Sequence, residues 1–113
     1  MRARQARDGV LLRIFIGDSD RYGDKPLYRE LVERARTMRL SGSTVLHGPM
    51  GYGRHSQVHT AKLIELSSDL PIVIEIVDTE DQIERYLRDV VDAIVFEGLA
   101  TMEKVKILTY GKS

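Results

Sequence analysis

Residues 71–78 read PIVIEIVD, and residues 79–82 read TEDQ. Ile72, Ile74 and Ile76 alternate with Val73 and Val77, which is the period-two signature of a strand apolar on both faces. Glu75 is the single charge inside that run. Thr79 with Gln82 three residues later forms a capping box, and Glu80 and Asp81 suit the positive end of a helix. Ile83, Leu87, Val90, Val91 and Ile94 then recur as one helical stripe, with Gly98 placed as its stop. A strand thus leads straight into an amphipathic helix.

Upstream the same unit appears again. Val10 to Ile16, VLLRIFI, predicts a strand with Arg13 as its only charge, stopped by Gly17-Asp18-Ser19-Asp20. Pro26 falls in the first turn of a helix whose face is Leu27, Leu31, Ala35 and Met38, with arginines and glutamates on its other sides. Leu40 to His47 predicts a second strand. Thr60 to Leu66 alternates as the returning arm of a hairpin, and Val105 to Tyr110 predicts a last strand. Two such halves fit an α+β, ferredoxin-like βαββαβ sandwich: an antiparallel sheet with both helices on one face. The second face is then bare yet apolar, and a large exposed apolar patch marks an interface. The fold therefore predicts a homo-oligomer that buries its sheets.

A chain of 113 residues suits one domain. Residues 1–9 read as a flexible basic tail and residues 10–113 as the domain, with a long loop at about 48–60. Hydrophobic residues make up 42% and charged residues 30%, which excludes a disordered chain. Lys plus Arg and Asp plus Glu both number 17, so nothing in the balance indicates nucleic-acid binding. There is no cysteine, which excludes disulfides, thiol catalysis and cysteine zinc sites. No run has the apolar stretch of a secretory signal or the roughly 20 apolar residues of a membrane span, so the expectation is a cytoplasmic protein.

Gly48 to His59, GPMGYGRHSQVH, holds the chemistry. From Ser41 to Lys62 there is no acid, whereas Arg54, Lys62 and all three histidines lie inside that window. Gly51 and Gly53 flank Tyr52, and Arg54 follows. Glycines allow close backbone approach, exposed amides cradle phosphate and arginine grips it bidentately, which outlines an anion site. The competing reading is a plain flexible hairpin. His47, His55 and His59 could serve a metal, but two glycines argue against the helix that would converge an i, i+4 pair, and no acid completes the set. Ser56 beside His55 or His59 lacks an elbow motif and an orienting acid. Glu75 is either an interface carboxylate paired to a cation of this or another subunit, or a ligand or switch contact.

The run SGSTVLHGPMGYGRH resembles the second strand and loop entry of PII signalling proteins, and LPIVIEIVDTEDQIE resembles their third strand and second helix. More closely, LLRIFIGDSDRYGDKPLY, HTAKLIELSSDLPIVIEIVDT and EGLATMEKVKIL resemble a PII-like family known as domain of unknown function 190. The segments span Leu11 to Leu108. The resemblance implies a homotrimer with sheets packed inward, clefts between subunits that bind an adenine nucleotide (ATP, ADP or AMP) or another small anionic ligand, and no enzymatic activity. The long loop, including His55, Ser56, Gln57, Val58 and His59, would meet a partner. That partner would be a membrane transporter or channel, a fluoride channel being one candidate from the family's gene associations. Carried over by residue, Thr44 would lie against the base, and Gly51, Tyr52, Gly53 and Arg54 would face the phosphates. Glu75 would pair with a phosphate-loop lysine, which Lys104 matches. The PII glycine-rich phosphate loop is EGLATMEK here, with one glycine, and the basic PII C-terminal segment has no counterpart after Tyr110. From the residues alone, a small histidine-cluster metal-binding protein or enzyme is the alternative.

Overall fold

The computed structural model describes residues 3–48, 50–51, 59–60 and 70–111. In chain order they form β1 (Gln5–Gly17), β2 (Arg21–Tyr22), β3 (Lys25–Pro26), α1 (Leu27–Thr37), β4 (Gly42–His47), β5 (Met50–Gly51), β6 (His59–Thr60), β7 (Pro71–Asp78), α2 (Glu80–Tyr86), a π-helical segment Leu87–Val91, α3 (Asp92–Ile94) and β8 (Leu99–Thr109). Four strands make one sheet in the order β4-β7-β1-β8, every neighbouring pair antiparallel. The fold is the expected α+β sandwich, with β1 and β7 central.

The alternation in β7 does what the sequence requires of it. Ile72, Ile74 and Ile76 are fully buried and meet Val10, Leu12, Ile14 and Ile16 of β1 in the same layer. Leu27, Leu31 and Ala35 of α1 close that layer, together with Ile83, Tyr86, Val90, Val91 and Ile94 of the second helical run. Thr79 caps α2, its Oγ1 accepting from Gln82 N at 3.4 Å. The π segment widens one turn, so that consecutive Val90 and Val91 both reach the core. Buried between the helices, the Tyr86 hydroxyl donates to Leu31 O at 2.7 Å, and burial holds its pKa well above the ordinary phenol value. Glu30, also buried, accepts from Arg34 one turn on at 3.2 Å.

Two boundaries differ from the sequence reading. Residues 5–9, expected in a tail, are strand: they pair with Val105–Thr109, and the ladder continues unbroken from Gln5↔Thr109 to Phe15↔Leu99. The last strand likewise starts at Leu99 rather than Val105. The causes differ. β7 ends at Asp78, opposite Val10, so residues 5–9 lie beyond it in a two-stranded arm with Val105–Thr109, whereas Leu99–Lys104 pair with Val10–Phe15 as the sheet's edge and are exposed throughout. Neither stretch is under the burial that selects apolar alternation. At the root of the arm Ile107 lies across Gly9, where a Cβ would come within 2.2 Å of its Cδ1.

Candidate functional site

Antiparallel order brings four strand ends together: His47 at the close of β4, Gly17 at the close of β1, Pro71 at the start of β7 and Leu99 at the start of β8. The long loop springs from this end. Gly48 N donates to Pro71 O at 2.8 Å, and a Cβ on Gly48 would lie 2.9 Å from the Pro71 ring, so the entry needs glycine. At the return, Asp18 N donates to Leu70 O at 2.9 Å while Leu70 N donates to Asp18 Oδ1 at 3.1 Å. Met50↔Thr60 and Gly51↔His59 pair as a short antiparallel ladder, which joins the two limbs of the loop. Tyr52, Gly53, Arg54, His55, Ser56, Gln57 and Val58 lie outside the described residues, as do residues 61–66 of the expected returning strand.

The rim at the same end carries a feature that the sequence did not advertise. Phe96 is 80% exposed, and its ring lies 6.3 Å from that of Tyr22, over which the Arg34 guanidinium sits at 5.3 Å. The His47 ring meets Tyr28 edge-on at 6.3 Å. Among the described residues no three His, Cys, Asp or Glu side chains are grouped to hold a metal.

On the sheet face away from the helices, Arg13 bridges two strands. Its Nε donates to Glu75 Oε2 at 2.9 Å and its Nη1 to Glu103 Oε1 at 2.6 Å. Those bonds, Glu75 first, raise the arginine pKa further above its already high value. Thr44 stands directly opposite Glu75 on β4, which places it beside this ion centre. Around the centre are half-buried Leu11, Phe15, Val73 and Val77, with Leu46 47% and Leu99 41% exposed. The bare apolar face deduced from β7 is therefore present, and its polar middle is a three-residue ion bridge.

Glu75 and Lys104 do not meet within the protomer. Lys104 is opposite Val10, so it projects on the helix side, where it lines a hollow of about 330 Å³ with Asp8, Gly9, Glu80 and Val105. Glu75 is on the other face and already holds Arg13. The physical reason is parity: Glu103, not Lys104, shares a face with Glu75. Glu103 carried no sequence signal. Arg13 did, as a lone charge in an apolar strand matching the lone Glu75.

CPII from Thiomonas intermedia K12, a nitrogen regulatory PII-like protein whose structure holds ADP, AMP and bicarbonate, matches at a TM-score of 0.65 with 14% identity, covering 91% of each chain. The likeness is one of fold. A UPF0166 protein of Aquifex aeolicus is 39% identical over 98 residues, which span 87% of this chain and 91% of the relative. A UPF0166 protein of Methanocaldococcus jannaschii is 32% identical over 89 residues, spanning 79% and 82%. Residues 9–107 match the DUF190 family, described as Uncharacterized ACR. With a family match over nearly the whole domain and relatives 39% and 32% identical, the chain belongs to the DUF190 family.

Proposed function

We propose that the chain is a non-enzymatic, cytoplasmic PII-like regulatory protein. Three copies pack their open sheet faces inward, and a small anionic ligand binds in the clefts between them at the loop end of the sheet. The observation that carries this reading is the anchored loop. Gly48 and Leu70 are each fixed by hydrogen bonds to the strand ends, so both limbs of the loop whose sequence includes GYGR leave from one end of a sheet whose open face is apolar. A ligand that contacts such a loop changes its ordering and so its fit to a partner. Adenine nucleotides and bicarbonate are the first ligands to test, because CPII, of the same fold, holds ADP, AMP and bicarbonate. In this chain Thr44, Gly51, Tyr52, Gly53 and Arg54 would contact the nucleotide. Glu75 would act through Arg13 rather than through Lys104, and Lys104 would meet a ligand only from the helix side. Residues 55–59 would touch the regulated partner, a membrane transporter or channel, with a fluoride channel as one candidate.

Calorimetry with ATP, ADP, AMP and bicarbonate tests the reading. The expected result is saturable binding of at least one adenine nucleotide, weakened about tenfold or more by Arg54→Ala through loss of a charge-assisted contact. No heat with any of the four, or an Arg54→Ala protein that binds as well as wild type, overturns the nucleotide assignment.

A further inference from the structure

We propose that Arg7 of one copy pairs with Glu103 of the next copy in the assembly, and that this cross-subunit pair sets how the open faces register. The inference rests on the inward packing proposed above. Strand parity puts Arg7, Arg13, Glu75 and Glu103 on the open face, and they are its charged residues within the four-stranded sheet. The ion centre uses one arginine for two carboxylates and so carries a surplus negative charge. Arg7 carries the balancing positive charge but stands away from it: Arg7 is opposite Ile107, and Glu103 lies four residues along β8, about 13 Å at strand rise. Arg7 Nη2 donates to Ser41 Oγ at 2.7 Å, and among the described residues it has no carboxylate partner.

Arg13 already bonds Glu103, but burying the open face without a second cation beside that carboxylate would leave the centre's net negative charge uncompensated in a dry interface, which is strongly disfavoured. Packing the face on itself about a two-fold through Arg13 would set surplus negative charge against surplus negative charge. A ring instead joins two different patches at each contact. The arm that carries Arg7 extends beyond the last residue of β7, so it reaches past the sheet where another copy could meet it. An isolated two-stranded ribbon is marginal in water, and a seat on the adjacent copy supplies what the protomer lacks. Arg7 of that arm is then the cation that answers Glu103.

The test is the association constant from sedimentation equilibrium for wild type, Arg7→Gln, Glu103→Gln and the double variant, with circular dichroism as the check on folding. Each single substitution is expected to weaken association about tenfold, and the double to be no weaker than either single, because the second change removes a charge already without its partner. Both singles keep side-chain size, and Arg13 keeps Glu75 in each. If wild type is trimeric and Glu103→Gln leaves association unchanged or tightens it, the pairing is wrong and the inward packing stands. Additive losses in the double variant overturn the pairing in the same way. A wild-type protein that stays monomeric across the concentration range overturns both.

Discussion

The two faces of this sheet are built from alternate residues of the same strands, yet they were finished differently. Ile74, on the helix side, is fully buried; Val73 and Glu75, its immediate neighbours, remain half exposed on the other side. One face completes its burial within the chain, under α1 and the second helical run. The other keeps apolar side chains around an ion bridge and waits for something outside the protomer. A face that is apolar but polar at its centre differs from a core: its charges add little to folding while exposed, and they select a partner once dry. Stability and assembly are thus written on opposite sides of one backbone.

The sharpest way to break that comparison is to cut neighbouring residues. Ile74→Ala leaves a cavity in the closed layer and is expected to cost the monomer about 2–5 kcal/mol in urea unfolding. Val73→Ala, one residue away, is expected to change monomer unfolding by less than about 1 kcal/mol while weakening self-association. Equal losses for the two in monomer unfolding would show that the open face is already a core.

What the sequence made legible follows the same division. The closed face was readable because burial on one side imposes period two on β1 and β7 and a helical stripe on their partners. At the middle of the stripe Tyr86, not Leu87, is fully buried: both follow Ile83 at helical spacing, by three and four residues, so periodicity alone does not choose between them, and Leu87 packs on the core only partly buried. The outer half of β1 and the first half of β8 were missed because water on both sides erases alternation. Arg13 and Glu75 each stood out as a lone charge, but their pairing spans 62 residues and depends on strand order, which no local pattern encodes. Family likeness gives Lys104 a ligand role, and ladder parity puts it on the helix side.

Tyr86 probes the closed face electrostatically, with a smaller effect. Removing its hydroxyl in Tyr86→Phe leaves Leu31 O without that donor and is expected to cost about 1 kcal/mol at neutral pH. Burial raises the phenol pKa in the folded state, so its contribution is fully present below the unfolded value near 10 and is lost as pH rises above it. Wild type should therefore lose stability between pH 9 and 11 faster than Tyr86→Phe. Parallel alkaline curves would show that the phenol reaches water in the native state.

The smallest effect belongs to the arm, which lies outside both layers. Asp8 accepts from Lys106 Nζ at 2.6 Å across the β1–β8 ladder, and this bond, with the lysine charge behind it, holds the carboxyl below its ordinary pKa. A depressed carboxyl contributes above its unfolded value, near 4, and loses that contribution as pH falls through the lower folded value. Because the pair is exposed, salt screens it, and global unfolding hardly registers Asp8→Asn. Amide exchange along residues 5–9 and 105–109 is the sensitive readout, since a two-stranded ribbon opens locally before the sheet does. At neutral pH and low salt, Asp8→Asn is expected to speed exchange there and nowhere else, with the difference vanishing in acid once the wild-type carboxyl is protonated. If in the assembled protein those amides are protected as strongly as β7 and the substitution changes nothing, the arm is held by a neighbour rather than by its own ladder, and the open side of the molecule extends to its tip.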